Sequence, residues 1–208
     1  MVPGKSLQVG SFPVPSYLLL LLGFTLLAGY AAFVPTQPFD RVVFDAVYGL
    51  RSAALDPVIQ GVAFLGETWP AVILPGLAAA WLWTKGFRQV ALWLVISLVA
   101  ESLASVSIKA LIDRTRPNGD DFSFVSGHTA YFTVFSGYLF FVLKRVVGDR
   151  RWLIGSRIAL AALVTLTAIS RMYLGFHWPT DVLGGFMLGL LVLVPVLWRV
   201  ENPAQVAT

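Results

Sequence analysis

Six apolar runs divide this chain of 208 residues, each about as long as a helix needs to cross a bilayer, and they leave little room for any other architecture. They fall at about 17–34, 69–84, 89–112, 127–144, 153–173 and 181–198. A helix needs about 20 apolar residues to span a hydrocarbon core, and a chain there must satisfy its backbone polar groups internally. Charged residues make up 12% of the chain, where a soluble domain carries about 25%. The expectation is an all-α bundle of six transmembrane helices forming a single integral-membrane domain over 1–208. Between the first two runs, Phe39, Val42, Val43, Ala46, Val47 and Leu50 recur at helical spacing, with Asp40, Arg41, Asp45 and Arg51 on the other face. That pattern predicts an amphipathic helix lying at the membrane interface over about 38–55. Lys5 precedes the first run as it would in a secretory leader. The apolar core is long for a leader, however, and no small-x-small cleavage site precedes Pro35, so an uncleaved membrane helix is expected.

The net charge of +4 does not point to nucleic acid, because the basic residues sit in the loops between apolar runs. Lys5, Lys85, Arg88, Lys144, Arg145, Arg150, Arg151, Arg157 and Arg199 fall on one side of a six-span topology. Arg41, Arg51, Lys109, Arg114, Arg116 and Arg171 fall on the other. Positive charge is retained in the cytoplasm, so both termini are expected there, in a bacterial cytoplasmic membrane. The chain has no cysteine and only two histidines, with no carboxylates clustered beside them. No thiolate chemistry, metal site or cofactor is expected, and no obligate protein partner is evident.

Against this apolar background three polar segments stand out, all on the extracytoplasmic side of the expected topology. Lys109 ends the third run, and Arg116-Pro117 follows seven positions later. Arginine offers a planar fork to two phosphate oxygens and lysine adds a point charge. Ser126-Gly127-His128 opens the fourth run. Serine caps the helix, the free amides there attract an anion, glycine permits close backbone approach, and His128 can give a proton to a leaving oxygen. Ser170-Arg171, His177 and Asp181 span the fifth and sixth runs, and Pro179 suits the first turn of the last helix. A carboxylate near one imidazole nitrogen fixes the tautomer and frees the other, which suits His177 as a nucleophile. Taken singly, each segment could be snorkelling cations, a plain helix cap or a loop-end ion pair. Together they are the parts for attack on a phosphate ester.

In order and spacing these segments resemble the type 2 phosphatidic acid phosphatase superfamily. Its pattern is Lys-(six residues)-Arg-Pro, then Pro-Ser-Gly-His, then Ser-Arg-(five residues)-His-(three residues)-Asp. The resemblance covers about residues 100–190 and departs where Val125 replaces the proline, which would leave the approach to the fourth helix less stiff. It implies that His177 attacks phosphorus to form a phosphohistidine and that His128 protonates the leaving group. Lys109, Arg116, Ser126, Gly127 and Arg171 would then hold the phosphate without a metal. Implied substrates are lipid phosphates of the outer face: undecaprenyl pyrophosphate, phosphatidylglycerol phosphate, phosphatidic acid or a lipid A phosphate. The same parts would serve a lipid phosphotransferase. A non-enzymatic protein binding anionic lipids needs the cations but not the His177–Asp181 pair.

Glu101 sits inside the third run, an expensive place for a carboxylate. Ser105 and Lys109 follow at four-residue intervals on the same face, so Glu101 is a candidate for the substrate pocket. Seven tryptophans, most of them near run ends, read as an interfacial belt. Asp113 and Arg114 occupy positions that the family pattern leaves variable.

Overall fold

The computed structural model describes residues 12–34 and 38–202 and is all-helical, with no strand among them. Eight α-helices run α1 (Val14–Phe33), α2 (Pro38–Tyr48), α3 (Asp56–Phe64), α4 (Thr68–Thr84), α5 (Arg88–Leu111), α6 (Gly127–Val142), α7 (Arg150–Tyr173) and α8 (Pro179–Glu201). A single 3₁₀ turn, Leu143–Arg145, extends α6. Lys5 and Pro35, used above for orientation and processing, lie outside the described residues.

Helices α1, α5, α7 and α8 are long and apolar enough to cross a membrane. Helices α3 and α4 qualify as a fifth span only as a pair, bent by 59° at the short break around Gly66. The sixth expected span is α6, which at 16 residues is about 24 Å long and falls short of a full hydrocarbon core. Burial explains why it can be short. Thr129, Ala130, Phe132, Thr133, Val134, Phe135, Ser136, Tyr138 and Val142 are all buried, so α6 meets protein where the outer helices meet lipid. It packs against α5, α7 and α8.

Close approach of α6 and α8 depends on glycine. A Cβ on Gly185 would lie 2.4 Å from the Ser126 carbonyl oxygen, and one on Gly189 would lie 2.5 Å from Thr133 Cβ. Small residues let membrane helices pack by direct contact where lipid gives no hydrophobic drive. Two tyrosines, Tyr138 buried and Tyr131 partly so, add interhelical bonds to backbone carbonyls, Tyr138 to Val90 at 2.6 Å and Tyr131 to Ala71 at 3.0 Å. The outer faces of α1, α4 and α5 expose Leu19, Leu26, Leu77, Leu103 and Val106, as lipid-facing surfaces do.

Helix α2 corrects the sequence reading. Helical spacing puts Asp40 on the outward polar face, yet Asp40 is fully buried while Phe39 and Val42 are exposed. The reason is tertiary: Asp40 accepts hydrogen bonds from Arg114 Nη2 at 2.5 Å, from the Thr180 amide at 2.9 Å and from Thr180 Oγ1 at 2.8 Å. Burial of an ionised carboxylate is sustainable only with such partners. α2 is therefore bolted to the N-terminus of α8.

Candidate active site

The C-terminal ends of α5 and α7 and the N-terminal ends of α6 and α8 form one end of the bundle, and the three sequence motifs meet there. Lys109, in the last turn of α5, donates from Nζ to the Phe122 carbonyl at 2.8 Å. Arg116 follows in a tight loop closed by backbone bonds from its amide to the Asp120 carbonyl and from Gly119 back to the Arg116 carbonyl. Ser126 caps α6, accepting from the Thr129 amide at 3.4 Å, with Gly127 and His128 as the first helical residues. The Ser126 amide itself donates to the Asp181 carbonyl at 2.9 Å, which locks the start of α6 to the start of α8. Val125, where the family has proline, is wholly buried with Phe124 against α8. Packing fixes this segment where a ring would have stiffened it.

Arg171 is buried near the end of α7, with its guanidinium carbon 4.5 Å from the centre of the Phe176 ring. Its carbonyl accepts the amides of Phe176 and His177 across a turn in which Gly175 has φ +78°, a conformation that favours glycine. This turn carries His177 into the bundle, where it is 3% exposed. Burial holds the His177 imidazole well below its ordinary value, at about 4, so its free form is neutral.

His177 Nδ1 lies 3.7 Å from Asp181 Oδ2, just beyond hydrogen-bond length. A pair at this separation can tighten into a hydrogen bond when a ligand is bound. Asp181 is fully buried and densely held. Oδ1 accepts from Arg114 Nη1 at 2.6 Å, and Oδ2 accepts from the Trp178 amide at 2.8 Å and from Ser123 Oγ. Lys109, Arg116, Arg171, His128 and His177 are near enough for their charges to act on one another. Within the same cluster Arg116 Nε, Arg171 Nε, His128 Nε2 and His177 Nδ1 are buried nitrogens without a hydrogen-bond partner. Among the described residues no three His, Asp or Glu side chains converge as a metal site would require.

Glu101 is 3% exposed and lines a cavity of about 270 Å³ with Gly66, Lys109, Gly127, His128 and Tyr131. An apolar groove of about 520 Å³ between α4 and α5 shares Ala71, Ser102 and Tyr131 with that cavity.

Several site residues carry no mark in the sequence. Arg114, which reads as an ordinary outer-face charge, is buried between Asp40 and Asp181. Ser123 and Thr180 complete that network. The Trp178 ring packs 5.2 Å from Phe44, and its Nε1 donates to the Thr115 carbonyl. The break between α3 and α4 also belongs to the site, since Glu67 Oε1 is 3.7 Å from His128 Nε2. A Cβ on Gly66 would fall 2.3 Å from His128 Cδ2. Gly66→Ala is expected to swing the imidazole aside and lower kcat at least about tenfold, since small misplacements of a catalytic group are costly. The melting temperature should stay near that of the parent, because the clash falls on one side chain. Undiminished turnover would show that His128 needs no fixed position.

The chain is similar to known proteins over most of its length. The PAP2 superfamily model matches residues 90–204. The chain is 30% identical over 183 residues to phosphatidylglycerophosphatase B of Bacillus subtilis, covering 83% of this chain and 89% of that protein. It is 27% identical over 188 residues to an undecaprenyl-diphosphatase of Sulfolobus acidocaldarius, covering 83% and 85%. The crystal structure of a transmembrane PAP2-type phosphatidylglycerolphosphate phosphatase from Bacillus subtilis superposes with a TM-score of 0.77 at 28% identity, covering 87% of this chain and 94% of that one.

Proposed function

The chain belongs to the PAP2 superfamily, the type 2 phosphatidic acid phosphatases, and we propose that it is an integral-membrane lipid phosphate phosphatase working through a phosphohistidine. The observation that carries this reading is the cluster of buried nitrogens on Arg116, Arg171 and His128, left without hydrogen-bond partners around a neutral His177 that Asp181 approaches. A tetrahedral phosphate presents oxygens to such donors from several directions.

In the proposed reaction His177 Nε2 forms a bond to phosphorus as the bond to the leaving oxygen breaks. His128, whose protonated form is favoured by the negative charge of the bound phosphate, gives its proton to that oxygen and becomes neutral. The phosphorylated ring keeps its proton on Nδ1 and is cationic, facing Asp181. Water then attacks phosphorus, His128 takes its proton, and the N–P bond breaks to return neutral His177 and free phosphate. Lys109, Arg116 and Arg171 neutralise the phosphoryl oxygens, the task a divalent cation performs elsewhere, and the α6 start at Ser126-Gly127 lets the Gly127 amide donate to them.

A lipid substrate is favoured over a soluble one because the apolar groove between α4 and α5 leads into the cavity that His128 lines. A chain lying there would bring its headgroup to His128 from the membrane side. Phosphatidylglycerol phosphate and undecaprenyl pyrophosphate are the leading candidates, as the named substrates of similar proteins. We also read α6 with its 3₁₀ extension as the sixth span and α2 as interfacial. Lys144, Arg145, Arg199 and Glu201 gather at the opposite end from the site, which supports cytoplasmic termini and an extracytoplasmic active site.

The test is phosphate release by purified protein in detergent with EDTA, using those two lipids, phosphatidic acid, lysophosphatidic acid and glycerol 3-phosphate. Release from at least one lipid that survives EDTA, with glycerol 3-phosphate at least about a hundredfold slower in kcat/KM, is expected from the lost tail contacts. Activity abolished by EDTA and restored by a divalent ion would overturn the metal-free mechanism. Equal turnover of glycerol 3-phosphate would overturn the lipid assignment.

A further inference from the structure

Asp181 would be enough to orient His177, yet a second buried carboxylate lies behind it. Asp40 and Asp181 share one guanidinium, Arg114, whose Nη2 and Nη1 reach them at 2.5 and 2.6 Å, and all three side chains are fully buried. Thr180 joins the set, donating to Asp40 from both its amide and its hydroxyl. Two carboxylates against one cation leave the cluster with a net charge of −1. A neutral cluster would be cheaper to bury, so the surplus calls for a reason.

We propose that Asp40 is a positioning residue for the phosphatase reaction, supplying through Arg114 the negative charge that balances the His177 cation formed on phosphoryl transfer. This rests on the reading of His177 as nucleophile. When the His177–phosphorus bond forms, the ring becomes cationic in a site already holding Lys109 of α5, Arg116, Arg171 of α7 and His128 of α6. Asp181 of α8 faces the ring, but Arg114 neutralises its charge. Asp40 of α2 cancels Arg114 in turn, so Asp181 can act on the imidazolium as a full carboxylate. Pairing each carboxylate with the same cation also fixes Arg114 rigidly, and with it the Asp181 oxygen that faces His177. The α2 helix thereby becomes part of the catalytic apparatus.

The experiment uses the full chain in detergent with Asp40→Asn and Asp40→Glu. Asp40→Asn removes the charge at nearly constant volume and sets an NH₂ group against the Thr180 donors or Arg114, so kcat is measured on folded protein. Its kcat is expected to fall about tenfold or more, with KM within about twofold, because the cation forms only after substrate binds. The chain has only two histidines, so ¹³C-histidine spectra resolve His177 once His128→Ala has assigned the other signal. Removal of a nearby negative charge disfavours the protonated ring, so the His177 titration should move downward by about half a unit to one unit. Asp40→Glu restores the charge and should recover most of the lost kcat. An Asp40→Asn protein with wild-type kcat and an unshifted His177 titration would overturn the proposal. So would a fall in activity that tracks lost folded protein with the titration unmoved, or an Asp40→Glu protein no better than Asp40→Asn. If His177→Ala stays active, the nucleophile reading fails first; if it is dead while Asp40→Asn is normal, only this inference fails.

Discussion

Replacing His177 with alanine is expected to lower kcat by at least about 10⁴-fold, because the other imidazole of the cluster, His128, serves in this reaction as proton donor to the leaving oxygen and no remaining side chain can form the covalent bond to phosphorus. Lys109 is engaged with the Phe122 carbonyl, the arginines are not nucleophiles at any working pH, and Ser126 Oγ is turned into its own helix cap. Water attacking directly would retain only the part of the acceleration that comes from the fixed cations. The variant should fold, since removing an imidazole from beside Gly175 and Asp181 leaves the Arg114–Asp181–Ser123 network in place. Substrate binding should persist within a few-fold, because the phosphate donors are untouched. Two measurements check this: steady-state kcat on the best lipid, and an alkaline detergent quench with labelled substrate, where wild type should yield an alkali-stable, acid-labile phosphoryl adduct and His177→Ala none. An adduct that persists in the variant would move the nucleophile elsewhere.

The residues assigned to the proposed chemistry are legible in the amino-acid sequence because an apolar chain has few polar groups to choose from. With two histidines and few cations outside the loops at the other end of the bundle, residue type and spacing, with the family resemblance, single out Lys109, Arg116, Ser126-Gly127-His128 and Arg171…His177…Asp181. The helices are legible for the same physical reason: a bilayer permits only runs of backbone that satisfy themselves, so the apolar runs end within a few residues of the helices. What escapes is whatever depends on a partner far along the chain. Helical periodicity shows that Asp40 and Arg41 share a side of α2, but not that Asp40 faces an arginine 74 positions away. Arg114 reads as a topological charge because its partners, Asp40 and Asp181, come from the far ends of the sequence. Gly66 and Glu67 read as a helix break. Their contact with His128 follows from the 59° bend between α3 and α4, which no local pattern encodes. The shortfall of α6 is one of length: the apolar run reaches residue 144, but the α-helix ends at Val142 and passes into a 3₁₀ turn.

Asp181→Asn should be the most informative single-atom change, because it strikes catalysis and folding together by separable routes. The carboxylate accepts on both oxygens: Arg114 on Oδ1, the Trp178 amide and Ser123 hydroxyl on Oδ2. An asparagine has one acceptor oxygen and one NH₂ donor. If the amide oxygen faces Arg114, the NH₂ group meets the Trp178 amide donor; if it faces Trp178, the NH₂ group meets the guanidinium. Either way a buried donor opposes a donor, and Arg114 loses one of its two carboxylates. Breaking one side of a buried ion pair costs about 3–5 kcal/mol, so the melting temperature in detergent should drop clearly. Catalysis falls for a different reason. Nδ1 of His177 needs an acceptor to hold its proton while Nε2 attacks, and an NH₂ group there favours the wrong tautomer, a loss of about 10⁴-fold in kcat where a carboxylate backs a catalytic histidine. Asp181→Ala separates the two effects: it removes the opposed donor along with the acceptor, so its kcat should be as low as that of Asp181→Asn while its stability differs. Measured well below the melting temperature on folded protein, kcat within about tenfold of wild type for Asp181→Asn would mean that the 3.7 Å approach of Asp181 to His177 only buttresses α8, and that the tautomer is fixed by the His177 surroundings alone.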